Sequence, residues 1–291
     1  MTSIPNARAR GLSVVESISV PAGAVNDDRA GYAGGCVWVI DGATDCSAEK
    51  YLPGQSDAAW LAEKFHGQLQ SSAADAGVPL QELLQRITQS VHDDFHREKF
   101  REPAGREHLP SAAALIGRVE AGRLEVVSLG DCQLFVAQPG GRARLCGADR
   151  SRLGDKAAIA RIRAAMREHN LDWRSAVTKL KPISGEGRRM MNVPGGYAVL
   201  SIDMPPASLI HQEAIPLEPG ARLLLATDGF TRLYEVFAAY SEETLLEAAF
   251  SKGLAALVAE LRMLESADAA CETAPRIKPR DDATAILAIA E

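Results

Sequence analysis

The sequence predicts an α+β protein with mainly antiparallel sheets, and three observations lead there. Short apolar runs rich in β-branched residues recur along the 291 residues. Stretches of helical periodicity are grouped between them and do not alternate with them one for one. Two neighbouring runs, 123–129 and 133–138, are joined only by Gly130, Asp131 and Cys132, a link too short for a parallel crossover.

Taken in order, the strand-like runs are GLSVVESISV (11–20), CVWVIDG (36–42), SAAALIGRV (111–119), LEVVSLGD (124–131), CQLFVAQ (132–138), YAVLSID (197–203), RLLLATDG (222–229) and ATAILAIA (283–290). Each is short, aliphatic or β-branched, and bounded by Gly, Asp or Pro. Helical spacing predicts helices over Ser56 to Ala76, Leu80 to Phe100 and Glu242 to Ser266. In the second, Leu80, Leu83, Leu84, Ile87 and Val91 fall on one face. Between about 149 and 194 the chain turns basic and irregular around two short helical patterns, with Arg161, Arg163, Arg167, Arg174, Lys179, Lys181, Arg188 and Arg189. This stretch reads as a surface insertion, and the polar loop Ser266 to Arg280 leads into the last strand.

Composition narrows the function classes. A formal net charge of −6 argues against reliance on phosphate-backbone attraction, so nucleic acid is not expected as a partner. No apolar run reaches the roughly 20 residues of a membrane helix, and the first residues lack the apolar core of a signal peptide. No membrane association and a cytoplasmic location are expected. The 5 cysteines, Cys36, Cys46, Cys132, Cys146 and Cys271, form no CxxC pair and signal neither a disulfide framework nor a thiolate zinc site.

The residues that can carry chemistry are aspartates. Asp41-Gly42, Gly130-Asp131 and Asp228-Gly229 stand at the ends of apolar runs, Asp281-Asp282 precede the last one, and Asp27-Asp28 precede the second. Taken singly, an Asp-Gly at a strand end is a turn. Together the acids suit a hard cation such as Mg²⁺ or Mn²⁺, which takes oxygen ligands and keeps several waters. A glycine after the aspartate lets the backbone bend and brings its carbonyl within reach as a ligand. His92 and His96 are four apart on a predicted helix, but Asp93, Asp94 and Phe95 between them do not make a protease zinc motif, and a solvent-facing helix is the simpler reading. Asp203 reads as a turn before two prolines, and Trp173 as a packing anchor.

The order V-N-D-D-R (25–29), V-W-V-I-D-G (37–42), S-L-G-D-C (128–132), L-L-A-T-D-G-F (224–230) and D-D-A-T-A-I (281–286) resembles the metal-dependent serine/threonine protein phosphatases of type 2C, in an atypical, bacterial-like form. The resemblance runs from about residue 12 to the C-terminus. It implies one phosphatase-like domain over 1–291, built as a four-layer α-β-β-α sandwich of two antiparallel sheets flanked by helices. Asp41 would bridge two metals, with the Gly42 carbonyl on one. Asp27, Asp228 and Asp281 would complete the shells, Asp28 would act through a bound water, and Asp131 would join a weaker third cation. Asp41 and Asp228 would be the residues on which catalysis depends. A hydroxide held between two Mg²⁺ or Mn²⁺ ions would attack the phosphorus directly, since such ions lower the pKa of water from 15.7 towards roughly 7.

Two positions depart from the pattern. The arginine that usually precedes the first acidic ligand by four residues is Gly23, so phosphate binding would be weak or come from elsewhere, and Arg29, Arg188 or Arg189 could substitute. The usual Asp-Gly-His-Gly-Gly is Asp41-Gly42-Ala43-Thr44-Asp45, and loss of a general acid typically costs roughly 10²-fold or more in rate. Asp45 or a water would then serve the leaving group. The expected function is hydrolysis of phosphoserine or phosphothreonine on a protein. Its rivals are a weak or inactive pseudophosphatase that binds phosphoproteins and a phosphatase for a small metabolite.

Overall fold

The computed structural model describes residues 7–9, 11–45, 49–73, 77–147 and 152–291. Among them the strands are β1 (Ala7–Ala9), β2 (Leu12–Val20), β3 (Arg29–Ala33), β4 (Cys36–Gly42), β5 (Ala112–Glu120), β6 (Arg123–Leu129), β7 (Gln133–Ala137), β8 (Arg144–Cys146), β9 (His211–Pro216), β10 (Arg222–Ala226) and β11 (Ala283–Ala290). The helices are α1 (Asp57–Ser72), α2 (Leu80–Glu98), α3 (Arg152–His169), α4 (Trp173–Arg188), α5 (Asp228–Glu235), α6 (Glu242–Lys252) and α7 (Leu254–Ala267). A six-stranded sheet has the order β1-β2-β11-β10-β7-β8 and a five-stranded sheet the order β3-β4-β5-β6-β9, with every pairing antiparallel.

The pleat builds the layers. In β4, Val37 and Val39 point into the core between the sheets, whereas Cys36, Trp38 and Ile40 point out under α1 and α2. In β10, Leu223 and Leu225 face the inter-sheet core, and Leu224 and Ala226 face α5, α6 and α7. Both faces of these two strands are therefore buried. That is why these strands read as continuous apolar runs and not as alternating ones. The α+β class and the four-layer sandwich are as expected.

Three expectations need correction. The Gly130-Asp131-Cys132 link, too short for a parallel crossover, passes between layers, with β6 in the five-stranded sheet and β7 in the six-stranded one. The run YAVLSID is not a strand. Leu200 exchanges two backbone hydrogen bonds with Ala112 (2.9 and 2.8 Å), while the Asn192 side chain binds Val199 N, Val199 O and Asp203 O, which satisfies the backbone without a ladder. The helix over Glu242 to Ser266 is two helices, because Gly253, at φ 84° and ψ 156°, breaks it between α6 and α7. The basic insertion is more regular than expected, since α3 and α4 are 18 and 16 residues long.

That helix pair has its own small core of Ile162, Ala165, Trp173, Ala176 and Cys271. Trp173 anchors it as expected, donating its indole N–H to the Arg276 carbonyl at 2.7 Å. Cys36, Cys132, Cys146 and Cys271 are buried and free, and Cys46 lies outside the described residues. Among the described residues, no helix is long and apolar enough to cross a membrane.

Candidate active site

Strand register carries the scattered aspartates to one end of the sandwich. Asp41 pairs with Ala113 across β4 and β5, and Ala114 pairs with Leu129, so Gly130 and Asp131 leave β6 at the same edge. In the other sheet Ala226 pairs with Ala285 and Ala283 with Val20, so the Asp228 start of α5, the Asp281-Asp282 approach to β11 and the end of β2 share one edge. The 21–28 segment then passes from that edge to β3, carrying Asp27 and Asp28 between the sheets.

Two glycines make this approach possible, for a different reason than a bend. Neither has a positive φ. A Cβ on Gly42 would stand 2.6 Å from the Asp27 carbonyl oxygen, and one on Gly229 would stand 1.8 Å from that of Asp282. The positions need a missing side chain because backbone packs against backbone there.

The acids are close enough to repel one another. Burial is the largest cause raising the Asp41 pKa, and Asp28, Asp228, Asp131 and Asp281 each push it further up. Asp28, only 2% exposed, likewise has its pKa raised well above its ordinary value, first by burial and then by Asp282. It is partly compensated by the Thr227 hydroxyl, which donates to its Oδ2 at 3.0 Å. Asp27 is raised by burial and accepts a short hydrogen bond from Ser56 Oγ, the cap of α1. Asp282 has both oxygens occupied, accepting from the backbone N–H of Ala22 and of Asp27, each at 2.7 Å. It clamps the 21–28 segment to the lead-in of β11.

Asp281 differs from the rest. Its Oδ2 accepts from Arg232 Nη2 at 2.7 Å and its Oδ1 from Lys278 Nζ at 2.9 Å. Among the described residues, no three carboxylate, thiol or imidazole side chains already form a closed ligand shell. The donor chemistry nevertheless suits a hard cation on the Asp41 side, where four other carboxylates act on Asp41. The fit is poorer at Asp281, whose lone pairs already serve two cations.

The basic candidates are also engaged. Arg29 bonds Glu63 at 2.7 Å and the carbonyls of Asn26 and Asp28, so it braces the turn that carries the acids. Arg189 forks onto Glu107 (3.1 and 2.8 Å), and together they hold the Glu107 pKa at about 2. Committed to carboxylates, neither supports the expectation of a phosphate grip. Arg188 instead donates to the carbonyls of Ala43 and Thr44 (3.0 and 2.9 Å), which ties the end of α4 to the loop directly after Asp41. A side chain at Gly23 would meet no atom within 4 Å. Asp45 accepts from Asp57 N at 3.2 Å and has a pKa raised by burial. The rings of His92 and His96 meet at a tilt of 58° with centroids 4.4 Å apart, with His92 on the Ile202 carbonyl and His96 on Lys99.

Reading the sequence missed Ser56, Thr227, Lys278, Arg232 and the clamp role of Asp282. Thr227 was legible as the residue before Asp228, and Lys278 as a base three residues before Asp281, although Arg280 is nearer in sequence. Arg232 lies one helical turn beyond Asp228, on a helix that a single turn of sequence does not announce.

No protein-family model matches the chain, and no curated protein sequence matches it. Solved structures do. The serine/threonine phosphatase PstP/Ppp of Mycobacterium tuberculosis is 16% identical, with a TM-score of 0.57 over 96% of this chain and 99% of that one. The catalytic domain of PstP in complex with two manganese ions is 15% identical, with a TM-score of 0.56 over 96% and 97% of the two chains. PppA, described as a key regulatory component of the type VI secretion system in Pseudomonas aeruginosa, is 15% identical, with a TM-score of 0.56 over 99% and 100%. The chain shares the fold of these phosphatases along nearly its whole length.

Proposed function

We propose that this chain, built on the serine/threonine phosphatase fold, is a metal-dependent phosphatase for phosphoserine or phosphothreonine in proteins. The observation that carries the reading is the gathering of Asp41, Asp28, Asp131, Asp228 and Asp281 at one end of both sheets, where Asp41 takes the repulsion of the other four. So many buried carboxylates acting on one another are costly to the fold and suit a site that binds cations.

Asp41 and Asp228 would be the principal ligands, with the Gly42 carbonyl beside them and Asp131 at the margin. Asp27 and Asp28 would stand behind, oriented by Ser56 and Thr227. Mg²⁺ or Mn²⁺ held there supplies an activated water and neutralises phosphate charge. Arg188, fixed at the rim by Ala43 and Thr44, would meet a substrate phosphate with its remaining N–H groups. Asp45, in the loop after Asp41 and with a pKa raised by burial, would be the group placed to give a proton to the leaving hydroxyl.

The test is hydrolysis of a phosphoserine peptide with and without Mn²⁺. Asp41→Asn and Asp228→Asn should each lower the Mn²⁺-dependent rate by at least about 10²-fold; unchanged rates would remove the proposal. The two ion pairs of Asp281 favour a second reading, a phosphoprotein-binding module with little turnover. Tight phosphopeptide binding without hydrolysis at any metal concentration would identify it.

A further inference from the structure

We infer that Lys278 and Arg232 are resident cations at Asp281, so that the acid cluster takes one tightly bound divalent cation, on its Asp41–Asp228 side, and not a pair. The inference rests on the metal-dependent reading above and concerns how many ions the site accepts.

Asp281 has two carboxylate oxygens and each already faces a positive charge, the Arg232 guanidinium at 2.7 Å and the Lys278 ammonium at 2.9 Å. Neither is a loose surface contact. Arg232 is 5% exposed and is held from behind by Glu265 Oε1 at 3.2 Å and the Lys278 carbonyl at 3.4 Å, so it cannot swing out to free the carboxylate. It stands on α5 one turn after Asp228, so the same short helix offers an acid to the open side of the cluster and a base to the closed side.

Lys278 comes from a loop with its own scaffold. Asp268 accepts from the backbone N–H of Glu272, Thr273 and Ala274, and the fully buried Arg276 binds Asp268 at 2.7 Å and the Pro279 carbonyl at 3.0 Å. The Lys278 side chain keeps 39% exposure. It is the removable plug, Arg232 the permanent one. Burial alone would lower the Lys278 pKa, but Asp281, Asp228 and Asp41 together raise it and keep the ammonium charged. A divalent cation arriving at Asp281 would have to displace Lys278 and remain beside Arg232, against the repulsion of both. Lys278 also acts on Asp41 and Asp228, but among the acids of the cluster its ammonium is hydrogen-bonded to Asp281, so the obstacle to a second cation is greatest there.

The experiment is Mn²⁺ titration of the full chain by calorimetry, followed by electron paramagnetic resonance of the loaded protein. One Mn²⁺ per chain in the micromolar range, with an uncoupled six-line spectrum, is the expected result. Two tight ions with spin coupling would overturn the inference and leave the phosphatase proposal standing; no binding by a folded chain would overturn both. Lys278→Met should admit a second ion and produce the coupled spectrum, whereas Lys278→Arg should keep the stoichiometry at one. A Lys278→Met protein that melts like the parent and still binds one ion would sink the resident-cation role.

Discussion

Asp41 and Asp281 approach the same end of the sandwich from different sheets and carry their charge in opposite ways. Asp41 ends β4 with four other carboxylates around it and is forced towards protonation by burial and by their repulsion. Asp281 leads into β11 with both oxygens on cations, one of them buried deep under α7 beside Glu265. The difference separates two uses of a buried acid. A compensated one fastens the structure together, and an uncompensated one stores electrostatic cost that a ligand can relieve.

The largest expected consequence is a difference of sign. Asp281→Asn leaves Arg232 and Lys278 short of a partner and should destabilise the metal-free protein by about 3 kcal/mol, the lower end for breaking a buried pair because Glu265 still faces Arg232. Asp41→Asn removes a repelled charge and should stabilise the metal-free protein by on the order of 1 kcal/mol while weakening Mn²⁺ binding. Urea denaturation in the presence of a chelator measures both, and equal signs would erase the distinction.

A pH series sharpens it. The folded pKa values of Asp28 and Asp41 lie above the ordinary 3.8, so the folded state binds protons more tightly than the unfolded chain. Their contribution to stability is therefore present below the unfolded value and is lost as pH rises through the folded values. This is the reverse of a salt-bridged carboxylate. With chelator, the melting temperature should fall as pH rises above about 4; saturating Mn²⁺ should flatten the fall, and Asp41→Asn should remove part of it. A melting temperature that rises over this range would contradict the electrostatics of the cluster.

The smallest effect belongs to the rim. Arg188→Ala loses two hydrogen bonds to the loop after Asp41, and it should raise the KM for a phosphopeptide several-fold, about 1 kcal/mol, with Mn²⁺ stoichiometry unchanged. A change in stoichiometry would place the α4 contact inside the cation site and no longer at its edge.

Much of this was legible in the chain. The strands β4, β5, β6, β7, β10 and β11 were visible because most of their residues are buried and each is a dense apolar run, and β2 through its β-branched residues. The acids Asp27, Asp41, Asp131, Asp228 and Asp281 were visible because they punctuate those runs. The short strands β1 and β8, the glycine-bearing β3 and the half-exposed β9 were not, since their patterns are too brief or too polar to stand out.

What the sequence determined by itself was the layered α+β class and the identity of the acids, because local hydrophobic periodicity and turn chemistry are written in consecutive residues. Only the tertiary structure decided which acids are compensated. Arg232 and Lys278 reach Asp281 from α5 and from a loop braced by Asp268 and Arg276, and Arg29 and Arg189 are drawn off to Glu63 and Glu107. Those pairings depend on distances between parts of the chain that meet only when the sheets pack. Charge compensation is a property of that packing, and no local pattern encodes it.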